Sequence, residues 1–247
     1  YVAWNWLAGN GTVSNTDGSI TSTVSANQTA GFSVVSYTGN GTDGASIGHG
    51  LGTTPSMVIC KRRDTAQNWV VAHSGITLAS QSLALNLTTQ ATSFGDGWID
   101  AWDSTTFTAI QGSASIVNVN ANTGTYIAYC FAEVEGYSKI GSYTGNGSTD
   151  GTFVHCGFRP AWVLIKSTGS SSNGWYIYDN KRENYGTLVD AQLYANLSNA
   201  EDNGSRDLDF TSNGFKPRLT DTNVNGSGST YIFLAFAEAP FKSANAR

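Results

Sequence analysis

The sequence predicts an all-β protein of two tandem antiparallel β-sandwich or jelly-roll-like repeats, each of about 105 residues. Three observations carry that reading. The first is self-similarity. "SYTGNG" stands at Ser36–Gly41 and again at Ser142–Gly147, 106 positions later; "TYIAYCFAE" (Thr125–Glu133) returns as "TYIFLAFAE" (Thr230–Glu238). Likewise "HGLGTTPSMVICK" (His49–Lys61) answers to "HCGFRPAWVLIK" (His155–Lys166). The second is periodicity: helix signals are nearly absent, apolar residues alternate, and Gly/Asn/Asp/Ser clusters recur about every ten residues, as between short strands. The third is turn chemistry. Asn40-Gly41, Asp43-Gly44, Asp96-Gly97, Asn146-Gly147 and Asp150-Gly151 suit turns with positive φ.

Taken in order, the elements begin with "YVAWNWLAG" (Tyr1–Gly9). Here Val2, Trp4 and Trp6 take the places that Ile127, Tyr129 and Phe131 hold in the later strand. Residues 1–30 are therefore expected to be a strand belonging to an upstream or neighbouring unit, followed by a polar link. The chain would then be a piece of a longer tandem array. Repeat 1 is placed at 31–139 and repeat 2 at 140–247. Each runs through a "SYTGNG" strand and turn, a Pro-led strand ("PSMVICKR" or "PAWVLIKS") and a third strand ("NWVVAHS" or "GWYIYDN"). A short piece follows ("LALNLT" or "LYANLS"), then a mid-strand ("WIDAW" or "DLDFTSNGFKPRL") and the last strand. In that last strand Ile127, Tyr129 and Phe131 line one face, and Tyr126, Ala128, Cys130 and Ala132 the other. Both faces are apolar, which predicts a central strand covered on both sides.

Composition narrows the function classes. Charged residues make up only 13 % of the chain, well below the usual quarter, a balance suited to an extracellular or virion β-protein. The formal net charge is −5 and no basic block exceeds "KRR" (Lys61–Arg63), so no phosphate-neutralising stripe for nucleic acid is present. No apolar run reaches the ~18 residues of a membrane helix, so no membrane insertion is expected. Cys60 and Cys130 face Ile165 and Ala235 in the other copy, which reads them as small buried apolar groups. With Cys156 they fit no zinc spacing.

The stretches "AGFSVVSYTGNGT", "GHGLGTTPSMVICKRR", "GFRPAWVLIK", "WYIYDNKR", "DLDFTSNGFKPRL" and "GSTYIFLAFAE" together resemble a poorly characterised domain of bacteriophage tail proteins. Relatives in marine phages lie downstream of lectin-like domains in tail-fibre-type proteins. The resemblance covers nearly the whole chain and brings no catalytic residues with it. It implies a virion component at the host-facing end of a tail, extracellular, probing the host surface, meeting other tail subunits and forming a homo-oligomer. Neither a virion-attachment region nor a coiled coil is visible.

Several residues invite a chemical reading. "FGDGWIDAWDSTTF" gathers Asp96, Asp100 and Asp103 around Trp98 and Trp102. Paired carboxylates among aromatics are what a glycosidase uses, but Asp100 and Asp103 differ by three and point to opposite faces of a strand. Trp98 and Trp102 have no match in the other copy, which makes these five residues the candidate sugar-binding platform. Trp69 with Trp175, Met57 with Trp162, and Trp4 with Tyr129 do match and are read as core. His49 and His155 fall near equivalent places and are read as turn residues; His73 faces Asp179 or Asn180 across the repeat. "EDNGSRDLD" (Glu201–Asp209) has oxygen ligands for calcium without the helical-loop spacing. No metal site and no cofactor is assigned. Asn-x-Ser/Thr triplets (Asn10, Asn27, Asn40, Asn86, Asn146, Asn196, Asn203, Asn225) are glycan acceptors in a secretory product and polar turns in a phage one.

The expected function is a structural and adhesive module of a phage tail that grips a host-surface glycan or protein, weak contacts multiplied by avidity. The alternatives are a polysaccharide-degrading enzyme using Asp96–Asp103, and an architectural subunit assembling through its open strand. No acid–base set is kept in both copies, so the chain is read as not an enzyme.

Overall fold

The computed structural model describes residues 3–92, 98–111, 118–182, 188–189, 191–202 and 208–239. Among these residues there are strands and turns and no helix, and all named strand pairs are antiparallel. The chain divides into two compact units. Unit 1 comprises Tyr1–Ala84 and Thr92–Glu133, and unit 2 comprises Leu85–Ala91 and Val134–Arg247.

Unit 1 has a seven-stranded sheet in the order β1 (Val13–Asn15), β2 (Ser22–Asn27), β3 (Phe32–Thr38), β10 (Thr125–Phe131), β5 (Met57–Arg62), β6 (Trp69–His73), β7 (Leu83–Ala84). A three-stranded sheet faces it: β4 (Ala45–Gly48), β9 (Thr106–Ala109), β8 (Ile99–Trp102). Their inner faces make one core, with Val24, Val35, Tyr37, Val58, Cys60, Val70, Tyr126 and Cys130 meeting Ile47, Ile99 and Phe107. That is a β-sandwich-like packing of two sheets. Unit 2 has a five-stranded sheet of β11 (Ser138–Thr144), β19 (Thr230–Ala237), β13 (Pro160–Ser167), β14 (Trp175–Asp179) and β16 (Gln192–Tyr194). Its second sheet is β12 (Val154–His155), β18 (Gly214–Pro217), β17 (Leu208–Thr211) and β15 (Leu188–Val189). Val163, Ile165, Tyr176, Tyr178, Tyr231 and Phe233 meet Val154, Leu208, Phe210 and Phe215 in its core.

Pairing registers match several strands of the two units. Met57 pairs with Phe131 and His73; Trp162 pairs with Phe236 and Asp179. Ile47 pairs with Phe107, and Val154 with Phe215. The six-residue motif acquires its physical meaning here. The Tyr37 hydroxyl donates to the Val119 carbonyl at 2.7 Å, and that of Tyr143 to Val224 at 2.6 Å. Tyr37 stacks on Tyr126 (5.0 Å, 15°), and Tyr143 on Tyr231 (5.1 Å, 18°). The amide of Asn120 takes the Asn40 N–H at 3.0 Å and donates to Asn40 Oδ1 (3.2 Å) and to the Thr42 carbonyl (2.6 Å). Asn225 does the same with the Asn146 N–H (3.1 Å), Asn146 Oδ1 (3.1 Å) and the Ser148 carbonyl (2.7 Å). Both asparagines are fully buried, so each must satisfy its whole amide inside the protein. The two glycines of the motif have distinct duties. A Cβ on Gly39 would lie 2.3 Å from the Ala121 carbonyl oxygen, and on Gly145 2.4 Å from that of Gly226. Gly41 and Gly147 turn the chain at φ +70° and +66°.

Several sequence expectations change. The polar stretch read as a link forms β1 and β2, on the edge of the larger sheet of unit 1. Residues 3–12 belong to no strand. Trp4 and Trp6 are nevertheless half-buried while Asn5 and Leu7 are exposed, and Trp6 sits edge-on to Phe131 at 6.3 Å. This stretch therefore lies on unit 1 itself. Gly151 was expected to supply positive φ; it does not, and is instead pressed on Pro217, whose carbonyl oxygen a Cβ would meet at 2.3 Å. Of the two last strands, β19 is buried on both faces, whereas Ile127 and Tyr129 of β10 are half-exposed. Among the described residues no cysteine forms a disulfide, and all three are buried.

Candidate ligand-binding surface

The acidic and aromatic patch predicted from the sequence falls on Trp98 just before β8, on β8 itself and on the hairpin turn that follows it; Asp96 lies outside the described residues. Trp102 pairs with Phe107, as Phe210 pairs with Phe215, so Trp102 has a counterpart after all: the buried Phe210. Sequence comparison missed the match because β8 carries an irregularity between Ile99 and Ala101 that shifts the register by one. Trp98 and Trp102 are half-buried and pack against the core of unit 1. They are the rim of that core rather than a pair of exposed sugar-stacking faces. The Trp98 indole N–H is buried without a hydrogen-bond partner among the described residues.

The carboxylates separate. Asp103 Oδ1 accepts the N–H groups of Thr105 and Thr106, both at 2.7 Å, and the Thr105 hydroxyl at 2.8 Å. These donors hold its carboxyl at about 2, and they close the β8–β9 turn. The same turn is fastened from below by His49. Leu51 N–H donates to His49 Nδ1 (3.2 Å), so the proton is on Nε2, which donates to the Asp103 carbonyl at 3.2 Å. Burial lowers the His49 pKa. Asp100 sits at the irregular point of β8. Burial raises its pKa, the nearby Asp43 adds to the effect, and its Oδ1 has no partner among the described residues. One raised and one lowered carboxyl is the division a glycosidase makes. Here Oδ1 of the lowered one is engaged three times over by its own turn, which gives that oxygen a structural task.

His155 is exposed and is not the counterpart of His49. Counting from the Ile47–Phe107 and Val154–Phe215 pairs, His49 corresponds to Cys156, which is buried. His73 and Asp179, by contrast, do one job with different chemistry. His73 Nδ1 accepts the Gly75 N–H at 2.9 Å, and Asp179 Oδ1 the Lys181 N–H at 3.0 Å. In the stretch considered for calcium, Glu201 pairs with Arg182 at 3.2 Å and Asp209 with Arg218. Among the described residues no group of three or more His, Cys, Asp or Glu is arranged to hold a metal, and no helix is long and apolar enough to cross a membrane.

A groove of about 640 Å³ that sequence reasoning did not find lies along residues 7–13. It is lined by Leu7 to Val13, Asn15, Val24, Ala26 to Gln28 and Gly50. Asn27 Nδ2 donates to the Leu7 carbonyl (3.2 Å) and Ser25 Oγ to that of Gly9 (3.1 Å), which hold the stretch against β2. Gln28 Nε2 donates to the Gly50 carbonyl at 3.0 Å. Leu7 and Val13 are 72 % and 66 % exposed on its rim. The signal available in the sequence was the isolated Leu and Val in "LAGNGTV", apolar residues inside a stretch otherwise suited to a link.

Residues 1–240 match the model of a family described as a domain of unknown function (DUF7483), and the chain belongs to that family. No curated protein and no solved structure matches it.

Proposed function

We propose that this chain is a structural and adhesive module of a phage tail-fibre-type protein, carried outside the host cell, which contacts host-surface glycans through unit 1. Its support is the sequence resemblance to tail proteins together with one observation: what recurs in both units is interior, the Tyr–Asn clasp, and not a reactive group. Carboxamides beside small apolar faces suit sugar hydroxyls and ring C–H groups, and the groove at Leu7–Gly50 offers both. Each contact is weak, and repetition of the module in an oligomer or array multiplies it.

Glycan-array binding read together with release of reducing ends tests this reading. Binding without release is expected, lost in a Leu7→Asp, Val13→Asp variant. Loss in Trp98→Ala with the groove variant unaffected moves the contact to the β8–β9 hairpin. Release of reducing ends makes the protein a polysaccharide-degrading enzyme and overturns the proposal.

A further inference from the structure

The larger sheet of each unit has an outer face, turned away from the core it shares with the smaller sheet. In unit 2 that face is closed around Lys166. The residues that flank Lys166 in register are Trp175 on β14 and Ile232 on β19, and all three are at most 1 % exposed. Lys166 Nζ donates to the carbonyls of Ser167 (2.8 Å), Thr88 (3.1 Å) and Ser170 (3.3 Å), one acceptor for each of its three N–H groups. Ala91 N–H donates to the Thr168 carbonyl at 2.8 Å. Two of these bonds fasten the segment Leu85–Ala91, "LNLTTQA", which opens with a turn and belongs to no strand, at the end of β13.

In unit 1 the register puts Lys61, Trp69 and Ile127 in the same three places. All three are half-buried. Lys61 Nζ donates to one carbonyl, that of Gln67 at 2.5 Å, and lies 6.0 Å from the centre of the Trp69 ring. Trp69 stacks on Tyr129 at 6.4 Å and 20°. We propose that this strip of unit 1 docks a short non-strand segment of another polypeptide chain, of the character that Leu85–Ala91 has in unit 2. The segment is uncharged and rich in Leu, Thr and Asn. It gives a backbone carbonyl to Lys61 and an apolar side chain to the Trp69–Tyr129 pair. In unit 2 the equivalent Lys166 is met by Leu85–Ala91, whereas the three-donor ammonium of Lys61 meets a single carbonyl. The strip stands apart from the glycan reading, since its occupant is a peptide and it shares no residue with the Leu7–Gly50 groove.

The probe is a labelled peptide with the sequence of Ala84–Thr92, added to the whole chain and followed by fluorescence anisotropy. Saturable one-to-one binding is expected, weakened about tenfold or more by Lys61→Met through loss of a charge-assisted hydrogen bond. Tyr129→Ala is the second variant, should Lys61→Met fail to fold, and the same weakening is expected. Absence of saturable binding, or binding that both variants leave unchanged, overturns the proposal. So does binding lost only in Lys166→Met, which means the peptide has displaced its own counterpart on unit 2. Displacement of the peptide by a host-surface oligosaccharide assigns the strip to sugar and overturns it too.

Discussion

His49 shows how a single buried group can tie a turn to pH. Its Nδ1 accepts an N–H from Leu51, so a second ring proton has nowhere to go without breaking that bond. The folded pKa lies below the ordinary histidine value near 6.5, with burial as the first cause. Above about pH 6.5 neither state is protonated and the contribution is fully present. As pH falls from there through the folded pKa, the unfolded chain takes up the proton first and stability drops. The thermal midpoint is therefore expected to fall between pH 7 and 5, with a shallower fall in His49→Gln; an unchanged slope in the variant assigns the effect elsewhere. The cysteines make a second residue-scale prediction. Burial pushes the Cys60 thiol up to about 12 and raises that of Cys130 further. A thiol-reactive dye at pH 8 is expected to label none of Cys60, Cys130 and Cys156 in the native protein and all three after denaturation. The burial of Cys60 and Cys130 was legible in the sequence, since the other copy has Ile165 and Ala235 in their place; that of Cys156, whose counterpart is His49, was not.

Strands and turns account for what the repeated motif does. Between β3 and the loop before β10, Gly39 lets two backbones approach closer than any side chain permits, and Gly145 does so before β19. Gly39→Ala and Gly145→Ala are each expected to cost about 3 kcal/mol or more, because the obstacle is backbone carbonyl rather than a movable side chain. A loss under about 1 kcal/mol in chemical denaturation contradicts that account. At the end of β13, Lys166→Met removes a donor from each of three carbonyls and is expected to destabilise by about 2–4 kcal/mol. Element type was readable from alternation and turn residues, and so were most strands of both units. Two features were not. The β8 irregularity is one added residue, Asp100, that offsets Trp102 from Phe210 by sequence count, so an inward tryptophan looked unmatched. The edge strand β1 and its neighbour β2 carry mostly polar residues, and that polarity suits a link as well as a strand at the margin of a sheet.

At the scale of the molecule, two units of one register hold the same clasp, while their surfaces differ. Unit 1 has Asp43 and Asp100 near one another; unit 2 has Asp150 ion-paired to Lys216 at 2.5 Å and to Arg218 at 3.1 Å. Only the interior recurs, which is why the interior could be read from one sequence and the surface could not. The Leu7–Gly50 groove arises from chain segments brought together by folding and has no sequence period. The Trp98–Asp103 patch was visible as residues, but whether they face solvent was decided by the register of β8. The claim beneath all of this is that each clasp holds its own unit, and Asn120→Ala and Asn225→Ala test it most directly. Each removes one amide and strands a buried N–H and carbonyl, and each is expected to cost about 2–4 kcal/mol in urea denaturation, the two losses agreeing within about 1 kcal/mol. A loss below about 0.5 kcal/mol at either position, with the other intact, contradicts the claim.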